Sequence, residues 1–117
     1  MGIIYSEKVN FIYRKVYYLD MKMAVGTAII KLYAPWVHSL KEKRMIINSI
    51  IKKAKNHFNI SINEVGEMDT HQTIIIGISC TSNSHTIASD VIHKVVDFIE
   101  NNTEAEVTDS EIEILQV

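Results

Sequence analysis

From Val25 to Leu115 the apolar residues of this chain recur at a period near 2, then 3.6, then 2 in two successive runs, then 3.6, then 2 again. Few folds accommodate that order. Residues 25–33 are rich in β-branched side chains, almost continuously apolar before Lys31, and closed by Pro35. That pattern predicts a central strand with much of both faces covered. Ser39-Leu40-Lys41-Glu42 has the Ser-x-x-Glu form of a capping box, in which each side chain accepts from the other residue's backbone N–H, so a helix starts there. Leu40, Ile47, Ile50, Ile51 and Ala54 form its apolar stripe with Ile46 beside it, and Lys41, Arg44, Asn48, Lys52 and Lys55 lie opposite. Residues 58–64 alternate apolar with polar, the mark of a half-buried strand, and residues 66–70 make a polar reversal.

Residues 72–81 carry the strongest strand signal, with Ile74, Ile76, Ile78 and Cys80 on one face and Thr73, Ile75, Gly77 and Ser79 on the other. Ser82, Asn83 and Ser84 are N-cap candidates for a second helix, whose stripe is Ile87, Ala88, Val91, Ile92, Val95, Phe98 and Ile99 and which Asn101-Asn102 ends. Residues 105–107 and 112–115, either side of Asp109-Ser110, read as one bulged strand. The sequence therefore predicts an α+β, ferredoxin-like βαββαβ sandwich: a four-stranded antiparallel sheet with two helices on one face. Right-handed crossovers put the first and third strands in the middle. The uncovered face would show Lys31, Tyr33, Thr73, Ile75 and Ser79, a mixture rather than an apolar patch.

A chain of 117 residues, 47% hydrophobic and 22% charged, is one ordinary domain with a core that needs no crosslink. Its single cysteine excludes a disulfide framework and fits a reducing, cytoplasmic setting, and no run is apolar enough to span a membrane. The first 22 residues stand apart. They hold Tyr5, Phe11, Tyr13, Tyr17 and Tyr18 without clean periodicity, and lack the features of a signal peptide. The expected organisation is an atypical extension over residues 1–22, with Met21 or Met23 as an alternative start of translation, and a ferredoxin-like domain over residues 23–117.

Net charge is −2, but the charges are segregated. Residues 1–22 hold four cations and two carboxylates; residues 23–57 hold seven cations against Glu42 alone; from residue 58 onward eleven carboxylates face a single Lys94. A local basic face binds phosphates even on an acidic protein, because salt limits charge effects to about 10 Å. The basic helix ridge, with Trp36 and His38 just before it, is accordingly the candidate site. An RNA recognition motif shares the predicted topology but stacks bases on aromatics of its central strands, and here only Tyr33 could do so. No two of the five histidines stand at i, i+4, so no metal site is expected. Cys80, in an apolar strand without a basic neighbour, is expected to be inert. No nucleophile elbow and no phosphate-cradling glycine loop occurs, so neither enzymatic activity nor a cofactor is expected.

Ser39-Leu40-Lys41-Glu42-Lys43-Arg44, then Phe58-Asn59-Ile60-Ser61-Ile62-Asn63-Glu64-Val65, then Asp69, Gln72 and Ser82-Asn83 resemble the YlxP-like family over residues 23–117. This small bacterial family of poorly defined function is often encoded near a translation initiation factor and ribosome-binding factor A, and has a ferredoxin-like fold. The resemblance implies a role in ribosome assembly or translation and identifies no catalytic residue. The expected function is a non-enzymatic RNA- or ribosome-associated factor without DNA sequence readout, docking on ribosomal RNA or a ribosomal subunit through Lys41, Lys43, Arg44, Lys52, Lys55, Trp36 and His38. The alternative is a protein-binding or self-associating module, a homodimer for instance, using the open sheet face or the edge strand near Ile60 to Glu64. A third reading is a small-metabolite sensor of the same topology.

Overall fold

A computed structural model describes residues 22–117; the N-terminal extension, apart from Lys22, lies outside the described residues. The elements follow in the order β1 (Ala24–Tyr33), α1 (Leu40–His57), β2 (Ser61–Gly66), β3 (Thr73–Ser82), α2 (His85–Asn101) and β4 (Glu106–Gln116). The sheet order is β2-β3-β1-β4, and every pair is antiparallel. This is the expected ferredoxin-like arrangement, with β1 and β3 in the middle.

Burial alternates strictly along β3. Ile74, Ile76, Ile78 and Cys80 point into the core with Ala28, Ile30 and Leu32 of β1, and both helices lie over them. β1 departs from the expectation that both of its faces are covered: Val25 and Thr27 are half-buried on the far face, and Ile29, Lys31 and Tyr33 are exposed there. Its continuous apolarity reflects an uncovered sheet face that is itself partly apolar. That face also carries Thr73, Ile75 and Ser79, as expected, and Val65 at 50% exposure.

Two bulges adjust the edges. In β4 the register steps from Lys31↔Asp109 to Leu32↔Val107, leaving Thr108 unpaired with its hydroxyl donating to the Lys31 carbonyl at 3.3 Å. In β2 it steps from Glu64↔Ile76 to Gly66↔Ile75, and the extra residue, Val65, lies against Gly77, where a Cβ would come within 2.9 Å of Val65 Cγ1. β2 starts later than the alternation predicts. Phe58 instead closes α1, its N–H donating to the Ala54 carbonyl at 2.9 Å, and its ring meets Phe98 of α2 edge-on at 5.5 Å.

Both helices start on serine caps. Ser39 Oγ accepts from the Glu42 N–H at 3.1 Å, and Ser84 Oγ accepts from the Ile87 N–H at 3.3 Å. The capping box is half formed, since Glu42 Oε1 approaches the Ser39 hydroxyl at 3.5 Å rather than its backbone N–H. In α2 the buried residues are Ala88, Ile92, Val95, Val96 and Ile99, whereas Ile87 is 52% exposed. α2 rides close on β1: a Cβ at Gly26 would stand 2.5 Å from Ile92 Cγ1 and 3.0 Å from the Ala88 carbonyl.

Candidate functional site

An α-helix turns about 100° per residue, so Lys41, Arg44, Lys52 and Lys55 fall within about 80° of one another on α1. All four are exposed. Among the described residues no carboxylate pairs with any of them. They form a line of exposed cations about 21 Å long at 1.5 Å per residue, on a helix whose opposite side, Ile47, Ile50 and Ala54, is fixed in the core.

Lys43 does not belong to this ridge. It stands about 100° or more from each of the four and is 1% exposed. Its ammonium donates to the Glu67 carbonyl at 2.6 Å and the Thr70 carbonyl at 2.7 Å, and pairs with Glu64 Oε2 at 3.0 Å. Two hydrogen bonds and one ion pair surround the ammonium with three oxygens, which is what keeps a cation stable out of water. The Glu64 contact is an ion pair rather than a directed hydrogen bond, since Oε2 has no hydrogen-bond partner. Lys43 therefore fastens α1 to the β2–β3 turn and is unavailable to a phosphate. The signal was present in the spacing: Lys43 precedes Ile47, Ile50 and Ala54 by four, seven and eleven residues, squarely within the apolar stripe.

Trp36 and His38 stand on a braced loop. The Ala34 N–H donates to the Gln72 carbonyl at 2.8 Å, Gln72 Nε2 donates to the Pro35 carbonyl at 2.9 Å, and Ala34 and Val37 are buried. With Val37 inward, its neighbours Trp36 and His38 are turned out, but onto different surfaces. Trp36, 44% exposed, lines a groove of about 530 Å³ between α1 and the turn after α2. His38 lines a separate depression with Asp69, Thr70 and His71.

The groove was not visible in the sequence. Its α1 wall is Met45, Ile46, Ser49, Ile50 and Lys53, and its other wall is the segment from Asn101 to Glu104, which is distant in the chain. Met45 lies about 20° from Lys52 around the helix, between the ridge and Ser49, so ridge and groove are contiguous. Among the described residues no three His, Cys, Asp or Glu side chains gather as metal ligands, and no helix is long and apolar enough to cross a membrane. Cys80 is buried, its Sγ 3.9 Å from the Ala88 carbonyl. Burial pushes its thiol up, against a smaller opposing effect of its hydrogen bond with the Gly26 backbone, so little thiolate forms at neutral pH.

The uncharacterized protein YlxP of Bacillus subtilis (strain 168) is 39% identical to this chain over 70 residues, which cover 60% of this chain and 76% of that one. A de novo designed protein, Foldit4, aligns over 81% of this chain and 96% of its own at 11% identity and a TM-score of 0.44, too weak a likeness to argue from. The model of the family described as "Protein of unknown function (DUF503)" matches residues 25–112. Those residues contain β1 apart from Ala24, both helices, β2, β3 and the first seven residues of β4, and with the likeness to YlxP they make this chain a YlxP-like member of the DUF503 family.

Proposed function

We propose that this protein is a non-enzymatic RNA-docking factor that seats the α1 ridge on the phosphates of ribosomal RNA. The observation that carries this reading is the row of exposed cations Lys41, Arg44, Lys52 and Lys55, without a carboxylate partner among the described residues, on a helix fixed from behind by Lys43 and the core. Three of the carboxylates, Asp109, Glu111 and Glu113, sit on β4, at the far edge of the sheet. Such a ridge reads charge and backbone position rather than base sequence. The link to the ribosome in particular rests on the gene neighbourhood of YlxP-like proteins.

Sedimentation of the tagged protein from lysate through sucrose gradients at low and high salt tests this directly. Comigration with the small ribosomal subunit at low salt only, and its loss in the Arg44→Glu/Lys52→Glu double variant with an unchanged Tm, is the expected result. Four phosphate contacts imply that log K falls against log salt with a slope of about −3, at roughly −0.7 per phosphate on single-stranded RNA. Undiminished association of the double variant removes the ridge from the interface. A protein that stays at the top of both gradients moves attention to protein partners of the open sheet face, where Ile29 is 49% exposed beside Ile75 and Val65.

A further inference from the structure

We infer that the groove beside the ridge receives one unpaired base of a single-stranded RNA, with Trp36 as its stacking surface. The inference rests on the RNA-docking reading and specifies the kind of RNA. Its first support is that the indole is both exposed and held. Ala34 and Pro35, just before it, are hydrogen-bonded to Gln72, and Val37, just after it, is 1% exposed with its N–H donating to the Ala34 carbonyl at 3.1 Å. A large aromatic kept at the surface on a braced backbone loses little freedom when a ring stacks on it.

The second support is the division of charge between two adjoining surfaces. The ridge is purely cationic, whereas the groove sets Lys53 on one wall against Glu104 on the other. A phosphate is attracted to the first and gains little in the second. A neutral base has the opposite preference, because the groove offers Trp36 and Met45 as apolar contacts and Asn101, Asn102 and Thr103 as polar ones. Asn102 already donates Nδ2 to the Phe98 carbonyl at 2.8 Å, which leaves its Oδ1 to accept from a base edge. The volume of about 530 Å³ accommodates a base with its sugar.

The third support is continuity. Because Met45 borders both Lys52 and Ser49 around α1, a strand with its phosphates along the ridge passes the mouth of the groove. Bases in a duplex are stacked and paired and cannot turn into it, so the site selects single strands, loops and bulges.

Trp36 is the only tryptophan of the chain, so its fluorescence reports the groove alone. The full-length protein is titrated with an oligoadenylate of about twelve nucleotides and with a blunt-ended, two-stranded RNA duplex of similar charge that contains no loop. The expected result is quenching by the single strand and none by the duplex. Trp36→Ala should weaken single-strand binding about tenfold, with the salt slope unchanged, while Trp36→Phe retains most of the affinity. Ser49→Glu, at an exposed position, places a carboxylate in the groove without touching the loop and should weaken binding similarly. Equal quenching by duplex and single strand, or full affinity in both Trp36→Ala and Ser49→Glu, overturns the inference and leaves the ridge reading intact. Absence of RNA binding by the unaltered protein, at low as at high salt, overturns the ridge reading and this inference together.

Discussion

Lys43 carries its charge into the interior along four methylenes and finds there two carbonyls and a carboxylate. The Glu67 carbonyl is the hub of this arrangement. It accepts from the Lys43 ammonium at 2.6 Å, from the Thr70 N–H at 3.1 Å and from the Thr70 hydroxyl at 2.9 Å. Glu67 itself has φ of 53°, in the left-handed region that an L side chain enters at a cost of about 1–2 kcal/mol. Three donors on one oxygen offset that strain. Removal of the ammonium leaves two carbonyls without their strongest donor and the Glu64 carboxylate, 22% exposed, without its cation. Breaking a buried pair from one side typically costs about 3–5 kcal/mol, and the partial exposure of Glu64 places this case toward the lower end. Lys43→Met should therefore lower the unfolding free energy by about 2–4 kcal/mol in urea titration, while Lys41→Met on the exposed ridge stays within about 0.5 kcal/mol. Equal small effects at the two positions would show that the turn keeps its shape without the lysine.

At the scale of elements, what the sequence reveals depends on whether a signal lies within one segment or between two. The strand β3 and the apolar stripe of α1 were legible because each alternation or stripe is complete within its own element, and the order of elements then led to the ferredoxin-like sheet. The start of β2 was not legible. Residues 58–60 alternate like a strand, but Phe58 is claimed by the last turn of α1 and by Phe98, a contact across 40 residues that no local period contains. The same holds for the candidate site: four ridge cations could be read from helical spacing, Lys43 was misplaced, and the groove depends on Asn101 to Glu104 coming back to α1. The glycines repeat the lesson, since only the packed structure tells them apart. Gly26 faces Ile92 at a distance that no Cβ can occupy, whereas at Gly66 a Cβ would meet Ile75 at an ordinary 3.4 Å with no left-handed backbone to forbid it. Gly26→Ala should thus cost about 1–3 kcal/mol through overpacking of α2 on β1, and Gly66→Ala should be near neutral, both read as urea midpoints. A neutral Gly26→Ala would mean that α2 shifts on the sheet without penalty.

For the whole molecule, part of the segregation of charge along the sequence becomes a segregation in space: the carboxylates of β4 stand apart from the ridge, although Glu64 and Glu104 of the same acidic block lie against α1. The ridge lies on α1, which packs over β2, while Asp109, Glu111 and Glu113 lie on β4, three strand intervals away. At about 4.8 Å per interval and about 10 Å for the helix layer, the two groups are separated by more than the Debye length of about 8 Å at physiological salt. The acidic edge therefore does not neutralise the ridge under those conditions, which is how a chain of net charge −2 can keep a basic surface patch open to the RNA proposed above. At about 0.01 M salt the Debye length reaches about 30 Å, and the two groups then share one field. The Glu111→Gln/Glu113→Gln double variant should accordingly bind an RNA oligonucleotide with unchanged Kd near 0.15 M salt and more tightly than the unaltered protein near 0.01 M, in filter-binding titrations at both concentrations. Tighter binding at both would place the carboxylates beside the RNA, and the docking surface would then have to extend around the sheet toward β4. An unchanged Kd at both would mean that the β4 carboxylates contribute nothing to the field at the ridge even at low salt, and the shared field would have to be given up.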